Sequence, residues 1–292
     1  MEDAIRKAEV LIEALSYIRT FRNRLTVIKL GGSAMEDPQA LEATLQDVIF
    51  METVGMRPVL VHGGGKAIDR AMAQAGIEPR KINGRRYTDE ATLAIVVRVL
   101  IEGINAAMVS RIGQLGGRAV GLHTGSLQCL FGDRLFLSGP ENEAIDLGRV
   151  GRVTHVDGNL LQNFCLAGVV PVIPSLAWDA AGQWLNVNAD TAAAAVAANL
   201  KAEKLVMLTD TPGILLDRRD EHSLVRSLNP QQCRDLIARG IIEEGMIPKV
   251  EACLESLQAG VRKTHMIDGR VRHSLLLEIY TDQGVGTEIS VN

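Results

Sequence analysis

The chain has 292 residues, 47% of them apolar and 23% charged, which suits one large α/β unit or two domains of about 150 residues each. A formal net charge of -4, an isoelectric point of 5.9, an aromatic share of 3% and the absence of a basic run argue against base-stacking modules, DNA and anionic membrane surfaces as partners. No apolar leader and no run of the roughly 18 to 20 apolar residues needed for a membrane span are expected. Cys129, Cys165, Cys233 and Cys253 are scattered without a CxxC pair, so buried reduced thiols and a cytoplasmic location are expected.

Ile5, Ala8, Leu11, Ile12, Leu15, Ile18 and Phe21 recur at steps of three and four, predicting an amphipathic helix over 3–22. Its stripe either caps its own domain or packs against another subunit. The apolar run 25–30 reads as a strand ending in Lys29-Leu30-Gly31-Gly32-Ser33, and Asp37-Pro38 starts a helix to Thr53. A second strand at 59–61 runs into Gly63-Gly64-Gly65 and a helix over 66–75. Two glycine turns thus follow two strands, where free N–H groups and the positive end of a helix favour phosphate or carboxylate. Ligands of such parallel sheets bind beyond the carboxyl ends of the strands. Lys29 beside the first turn is placed to offset anionic charge, the plain alternative being a snorkelling surface lysine.

Asn83-Gly84 predicts a turn before Arg85 and Arg86, which could hold a carboxylate bidentately or lie solvated in a loop. A helical pattern runs over 89–115 with a possible interruption at Gly103, and short strands are expected at 118–122, 127–131, 134–137 and 148–156. A helix at 158–167 and strands at 169–173 and around 184–185 follow. Asn186-Val187-Asn188-Ala189-Asp190 then precedes an alanine-rich helix over 191–200, with Asp190 as its N-cap or, with both asparagines, as a ligand-facing group. A strand at 204–208 ends in Thr209-Asp210-Thr211-Pro212-Gly213, a turn able to hold a nucleotide or simply to reverse the chain. Asn229-Pro230 begins a helix. Lys249 sits near the start of another, where an anionic partner or plain exposure would offset the unfavourable helix dipole. Strands at 263–267 and 286–290 flank a short helix at 274–280.

KLGG at Lys29, HGGG at His62, NGxR ending at Arg86, NVNAD at Asn186, TDxxG at Thr209 and GMIPK at Lys249, in this order, resemble the acetylglutamate kinases of the amino-acid kinase family. The resemblance implies an α/β fold: an open three-layer αβα sandwich with a mainly parallel central sheet, preceded by an N-terminal helix. It divides the chain into an oligomerisation and regulatory helix (1–24), an amino-acid substrate lobe (25–183) and a nucleotide-binding lobe (184–292). It implies transfer of the ATP γ-phosphoryl group to the side-chain carboxylate of N-acetyl-L-glutamate, in arginine biosynthesis, with Mg2+ carried by ATP. Lys29 and Lys249 correspond to the lysines that offset phosphoryl charge and Asp190 to the residue holding them, with Gly31, Gly32, Gly63, Gly64 and Gly65 as backbone donors. Arg86, Asn186 and Asn188 correspond to acetylglutamate ligands, and Thr209, Asp210 and Gly213 to nucleotide contacts. Such an enzyme needs positioning and charge stabilisation more than covalent chemistry.

Two departures stand out. Arg85 replaces a usual apolar residue, and 123–133 lacks the Ser-Gly-Lys-Asp run often found there. An acetylaminoadipate-type kinase, one methylene different in substrate, and a non-catalytic arginine-binding regulator are the alternatives. The N-terminal helix with Tyr17 and the C-terminal segment with Glu278 and Gly284 resemble the arginine-sensitive branch, which implies a hexamer built as a trimer of dimers and arginine as effector.

Overall fold

The computed structural model describes all residues except 140–142, 244, 282–283 and 292. Helix α1 (Glu2–Phe21) precedes β1 (Leu25–Leu30), α2 (Pro38–Thr53), β2 (Arg57–His62) and α3 (Gly65–Gln74). Asp37 caps α2 through its carboxylate, which accepts from the Gln39 and Ala40 N–H groups. A hairpin of β3 (Lys81–Ile82) and β4 (Arg85–Arg86) follows. Asn83 and Gly84, at φ 47° and 74°, make its two-residue turn, matching the right-handed strand twist.

Next, α4 (Glu90–Arg98), a π-helical segment (Val99–Asn105) and α5 (Ala106–Gln114) form one continuous rod. Gly103 lies within the π segment, so the expected interruption is a change of helical pitch and not a break. Contrary to the sequence expectation, this 25-residue rod, whose most apolar stretch has a mean hydropathy of 1.8, is long and apolar enough to cross a membrane. Val96, Leu100, Met108 and Ile112 of the rod are buried in the core instead.

Strands β5 (Ala119–Gly121), β6 (Leu130–Ser138) and β7 (Ala144–Val156) come next, then α6 (Gly158–Leu166), β8 (Val170–Pro174), β9 (Leu176–Trp178) and β10 (Trp184–Val187). The chain continues through α7 (Ala189–Leu200), β11 (Lys204–Thr209), β12 (Ser227–Leu228), α8 (Pro230–Ala238), α9 (Ile247–Gln258), β13 (Lys263–Asp268), α10 (Ser274–Ile279) and β14 (Thr287–Ser290).

Eight strands form one sheet in the order β12-β14-β13-β11-β1-β2-β8-β5, parallel except where β14 runs against β13. Its strands alternate faces. Val27, Val61 and Met207 pack with α7 and α9, whereas Ile28, Leu60 and Val206 pack with α2, α5 and α10. Helices therefore cover both faces, giving the three-layer sandwich. Periodicity did not anticipate that β6, β7, β9 and β10 leave this sheet and close into a small barrel. The strands expected at 127–131 and 134–137 are one bulged strand, β6.

Candidate active site

Lys29 shares the Val27 face of β1 and so points at α7 and α9. Its Nζ lies 2.8 Å from Asp190 Oδ1, and Lys249 Nζ lies 3.3 Å from Asp190 Oδ2. Lys29 and Asp190 are buried, while the Lys249 side chain is 27% exposed. Burial alone would raise the Asp190 carboxyl, but the Lys29 and Lys249 charges outweigh it and hold the group below its ordinary value. Asp190 lies in the first turn of α7, where the helix dipole also favours an anion. The N-cap of that helix is Asn188, not Asp190, and its side-chain oxygen accepts from the N–H groups of Asp190 and Thr191.

Two open clefts meet at this trio. One, of about 240 Å³, is bordered by Arg85, Arg86, Ser175 and Asn186; the other, of about 250 Å³, by Asp210, Thr211, Arg218, Met246 and Lys249. Lys29, Gly31 and Gly32 border both. Gly32, at φ 63°, lets the first glycine turn lie against the Asp210 carboxylate, where a Cβ would collide. Beyond Thr211 the second cleft opens on an apolar hollow lined by Gly213, Ile214, Leu215, Ile241 and Met246.

The sequence-derived residues fall into distinct local roles. Gly31, Gly32, Gly64 and Gly65 border the first cleft, with Gly64 the N-cap and Gly65 the first residue of α3. Gly63 borders it too, but its N–H already donates to Leu30 O at 3.1 Å, so it shapes the turn and has no N–H to spare for a ligand. Arg86 reaches the cleft from the hairpin while its Nη2 lies 2.6 Å from Asp69 Oδ1. Asn186 donates to the Thr88 hydroxyl at 3.0 Å. Thr209 is buried and donates to Thr211 O at 2.7 Å, which makes it an organiser of its own turn. A Cβ on Gly213, at φ 150°, would meet Thr287 Oγ1, so that glycine serves close packing beside the hollow.

Sequence reasoning passed over Ser175 and Arg218. Ser175 follows β8 beside the first cleft, and its N–H donates to His62 O at 3.0 Å. Arg218 hydrogen-bonds Glu243 at 2.6 Å at the border of the second. Position after a strand was the available signal for Ser175; no local pattern marked Arg218.

Tyr17, Glu278 and Gly284 border neither cleft. Glu278 is buried: its Oε1 lies 2.7 Å from His265 Nδ1, and its Oε2 accepts from the N–H groups of Val285 and Gly286. The left-handed Gly284 lies against Glu278. Tyr17 stacks edge-on with Tyr280, ring centroids 6.2 Å apart, and Lys204, 3.1 Å from His265 Nε2, sits 5.0 Å over the Phe21 ring. The end of α1 therefore closes over a buried cluster of charged groups.

The amino acid kinase family model matches residues 24–268. An acetylglutamate kinase from Synechococcus sp. is 47% identical over 286 residues, covering 98% of this chain and 93% of the relative. One from Carboxydothermus hydrogenoformans is 44% identical over 293 residues, covering 99% and 100%. Among solved structures, N-acetylglutamate synthase from Neisseria gonorrhoeae, complexed with coenzyme A and N-acetyl-glutamate, superposes with a TM-score of 0.85 at 26% identity. That match covers 97% of this chain, which spans 63% of the synthase. Giardia lamblia carbamate kinase bound to AMP-PNP, at 16% identity and a TM-score of 0.64 over 92% of this chain and 98% of the other, shares the fold. With a family model spanning the clefts and such relatives over nearly its full length, the chain belongs to the acetylglutamate kinases of the amino acid kinase family.

Proposed function

We propose that the chain transfers the γ-phosphoryl group of ATP to the side-chain carboxylate of N-acetyl-L-glutamate, the first cleft taking the acyl amino acid and the second the nucleotide. The observation that carries this reading is that Lys29 and Lys249 flank Asp190 where the two clefts meet. A carboxylate oxygen arriving from the first cleft attacks the γ-phosphorus, the bond to the β-phosphate oxygen breaks, and ADP leaves with that electron pair. The acceptor is already ionised at neutral pH, so no general base is required. Lys29 and Lys249 interact most strongly as charge spreads over the transferring group, and Asp190 holds both cations in place. Both Asp190 oxygens face lysines and so are poor cation ligands. Mg2+ is read as arriving on the ATP phosphates, where it offsets their charge.

Arg86 and Asn186 are read as substrate contacts, and the hollow beside Gly213 as the place of the nucleotide's base. We further infer a cytoplasmic enzyme that arginine inhibits, binding between the end of α1 and the Glu278–Gly284 segment, with α1 joining dimers into a hexamer. Support for the last point is the exposure of Ile5, Val10, Leu11 and Ile12 on a helix whose Tyr17 and Phe21, at its C-terminal end, dock on the fold.

The test is an assay of the purified chain with ATP and acetylglutamate, acetylaminoadipate, aspartate, glutamate, carbamate or uridylate. Fastest ADP release with acetylglutamate, giving a hydroxylamine-trappable acyl phosphate, is expected. A better turnover with any other acceptor overturns the substrate assignment.

A further inference from the structure

His62 ends β2 immediately before the glycine turn and is completely buried, yet it borders neither cleft. Its Nδ1 lies 3.1 Å from the Gly63 carbonyl oxygen and its Nε2 lies 3.0 Å from Asn105 Nδ2. Asn105, the last residue of the π-helical segment, also donates from Nδ2 to Val172 O at 3.0 Å. That second contact settles the protonation of the imidazole. The Val172 carbonyl only accepts, so the amide nitrogen of Asn105 must face it. Its other N–H then meets Nε2, which must present a lone pair. The imidazole proton is left on Nδ1, where it donates to Gly63 O. Burial keeps the ring uncharged, pushing its pKa down to about 4, and the other titratable group acting on it, His123, pushes the same way.

The consequence lies in the next peptide. Because a trans peptide is planar, the Gly64 N–H points opposite to the Gly63 C=O. With that carbonyl pinned toward the buried ring, the Gly64 N–H is turned away from the core and toward the cleft that Gly63, Gly64 and Gly65 border. Neighbouring contacts fix the preceding peptide, His62–Gly63, and the Gly64 Cα. Gly63 N–H donates to Leu30 O, Ser175 N–H donates to His62 O, and Leu100 and Ile104 of the π segment close on Gly64 so tightly that a Cβ there would collide.

We propose that His62, held as its neutral Nδ1–H tautomer by Asn105, is a positioning residue for phosphoryl transfer: it aims the Gly64 N–H at the transferring group without touching substrate. This rests on the kinase reading above. The π segment has a matching role, since its altered pitch delivers Asn105 to the imidazole and Ile104 to the glycine turn.

Two measurements separate this from a purely structural role and from failure of the kinase reading. Nitrogen-15 spectra of the imidazoles in the intact, ligand-free protein report the tautomer without any turnover; a neutral Nδ1–H ring is expected, and an Nε2–H or charged ring overturns the proposal. In kinetics, His62→Asn keeps a donor near the Nδ1 position, whereas His62→Gln places its amide near Nε2. His62→Gln should lower kcat about 100-fold with KM for both substrates little changed, as expected for a small misalignment of a reacting group. His62→Asn should recover most of that loss. Equal kcat losses in the two variants, or losses that follow only the fraction of folded protein, overturn the positioning role. Absence of wild-type turnover with an Nδ1–H ring present would instead count against the kinase reading.

Discussion

Lys29, Asp190 and Lys249 form one ion-paired unit, but their burial differs and so should their variants. Lys249→Ala removes a partly exposed cation, so its main effect should be on kcat, about 10² to 10³ by analogy with the loss of one oxyanion donor, with a small change in KM. Asp190→Asn strips the carboxylate from the buried Lys29, and an uncompensated buried charge costs about 3 to 5 kcal/mol. That variant should lose both kcat and unfolding free energy, measured by steady-state kinetics and denaturant titration. Wild-type turnover in Lys249→Ala would remove that lysine from the mechanism. Arg86 differs again, because its proposed partner is a substrate carboxylate. Arg86→Ala should abolish the thermal shift caused by acetylglutamate and leave the shift caused by an ATP analogue intact, since a ligand stabilises only a fold that binds it. Loss of both shifts would mean that Arg86 supports the fold and not the substrate. Arg85 borders the same cleft, and Arg85→Ala in the same titration should weaken the acetylglutamate shift much less than Arg86→Ala.

At the scale of elements, α1 is the outlier. Leu11 and Ile12 are each 70% exposed, more than a helix serving its own domain would leave bare, and its contacts concentrate at Tyr17 and Phe21. Removing residues before Arg22 should leave kcat in place while light scattering reports a fall from hexamer to dimer. The same truncation removes the Tyr17 and Phe21 rings from the Lys204, His265 and Glu278 cluster, so arginine inhibition should disappear with the hexamer. A truncated protein still hexameric and still inhibited would return α1 to a capping role. The π segment makes a second element-level statement. A methyl added at Gly64 would press on Leu100 and Ile104, so Gly64→Ala should lower kcat far more than Gly65→Ala, whose Cβ meets open space.

For the whole molecule, buried ionisable groups set the response to pH. His62 is held near pKa 4, below the ordinary imidazole value of 6.5. Between these values the unfolded chain binds a proton that the folded chain excludes. The stability from this residue is therefore complete above pH 6.5 and falls as pH drops toward 4, by about 3 kcal/mol. His62→Asn lacks this titration, so the gap in unfolding free energy between wild type and variant should narrow as the pH is lowered through that window. A constant gap would assign the acid sensitivity elsewhere, for example to Asp190, whose depressed carboxyl loses its stabilising charge only at lower pH.

Most of the strand and helix order, the turn at Asn83-Gly84 and the caps at Asp37, Asp89 and Asn229 were readable in the chain itself, because each depends on residues within a few positions of one another, whereas β9 and β12 are too short to show a period. Family resemblance added the pairing of Lys29 with Lys249, separated by most of the chain. Other features were decided by packing. Asn188 and not Asp190 caps α7 because the carboxylate has two lysines to serve, and Gly63 has no N–H to spare because Leu30 takes it. The closure of β6, β7, β9 and β10 into a barrel depends on pairings across as many as about fifty residues, which period-two alternation within each strand cannot encode. His62 was visible as a letter in a glycine motif; its tautomer exists only because a π-helical turn brings Asn105 between it and the Val172 carbonyl.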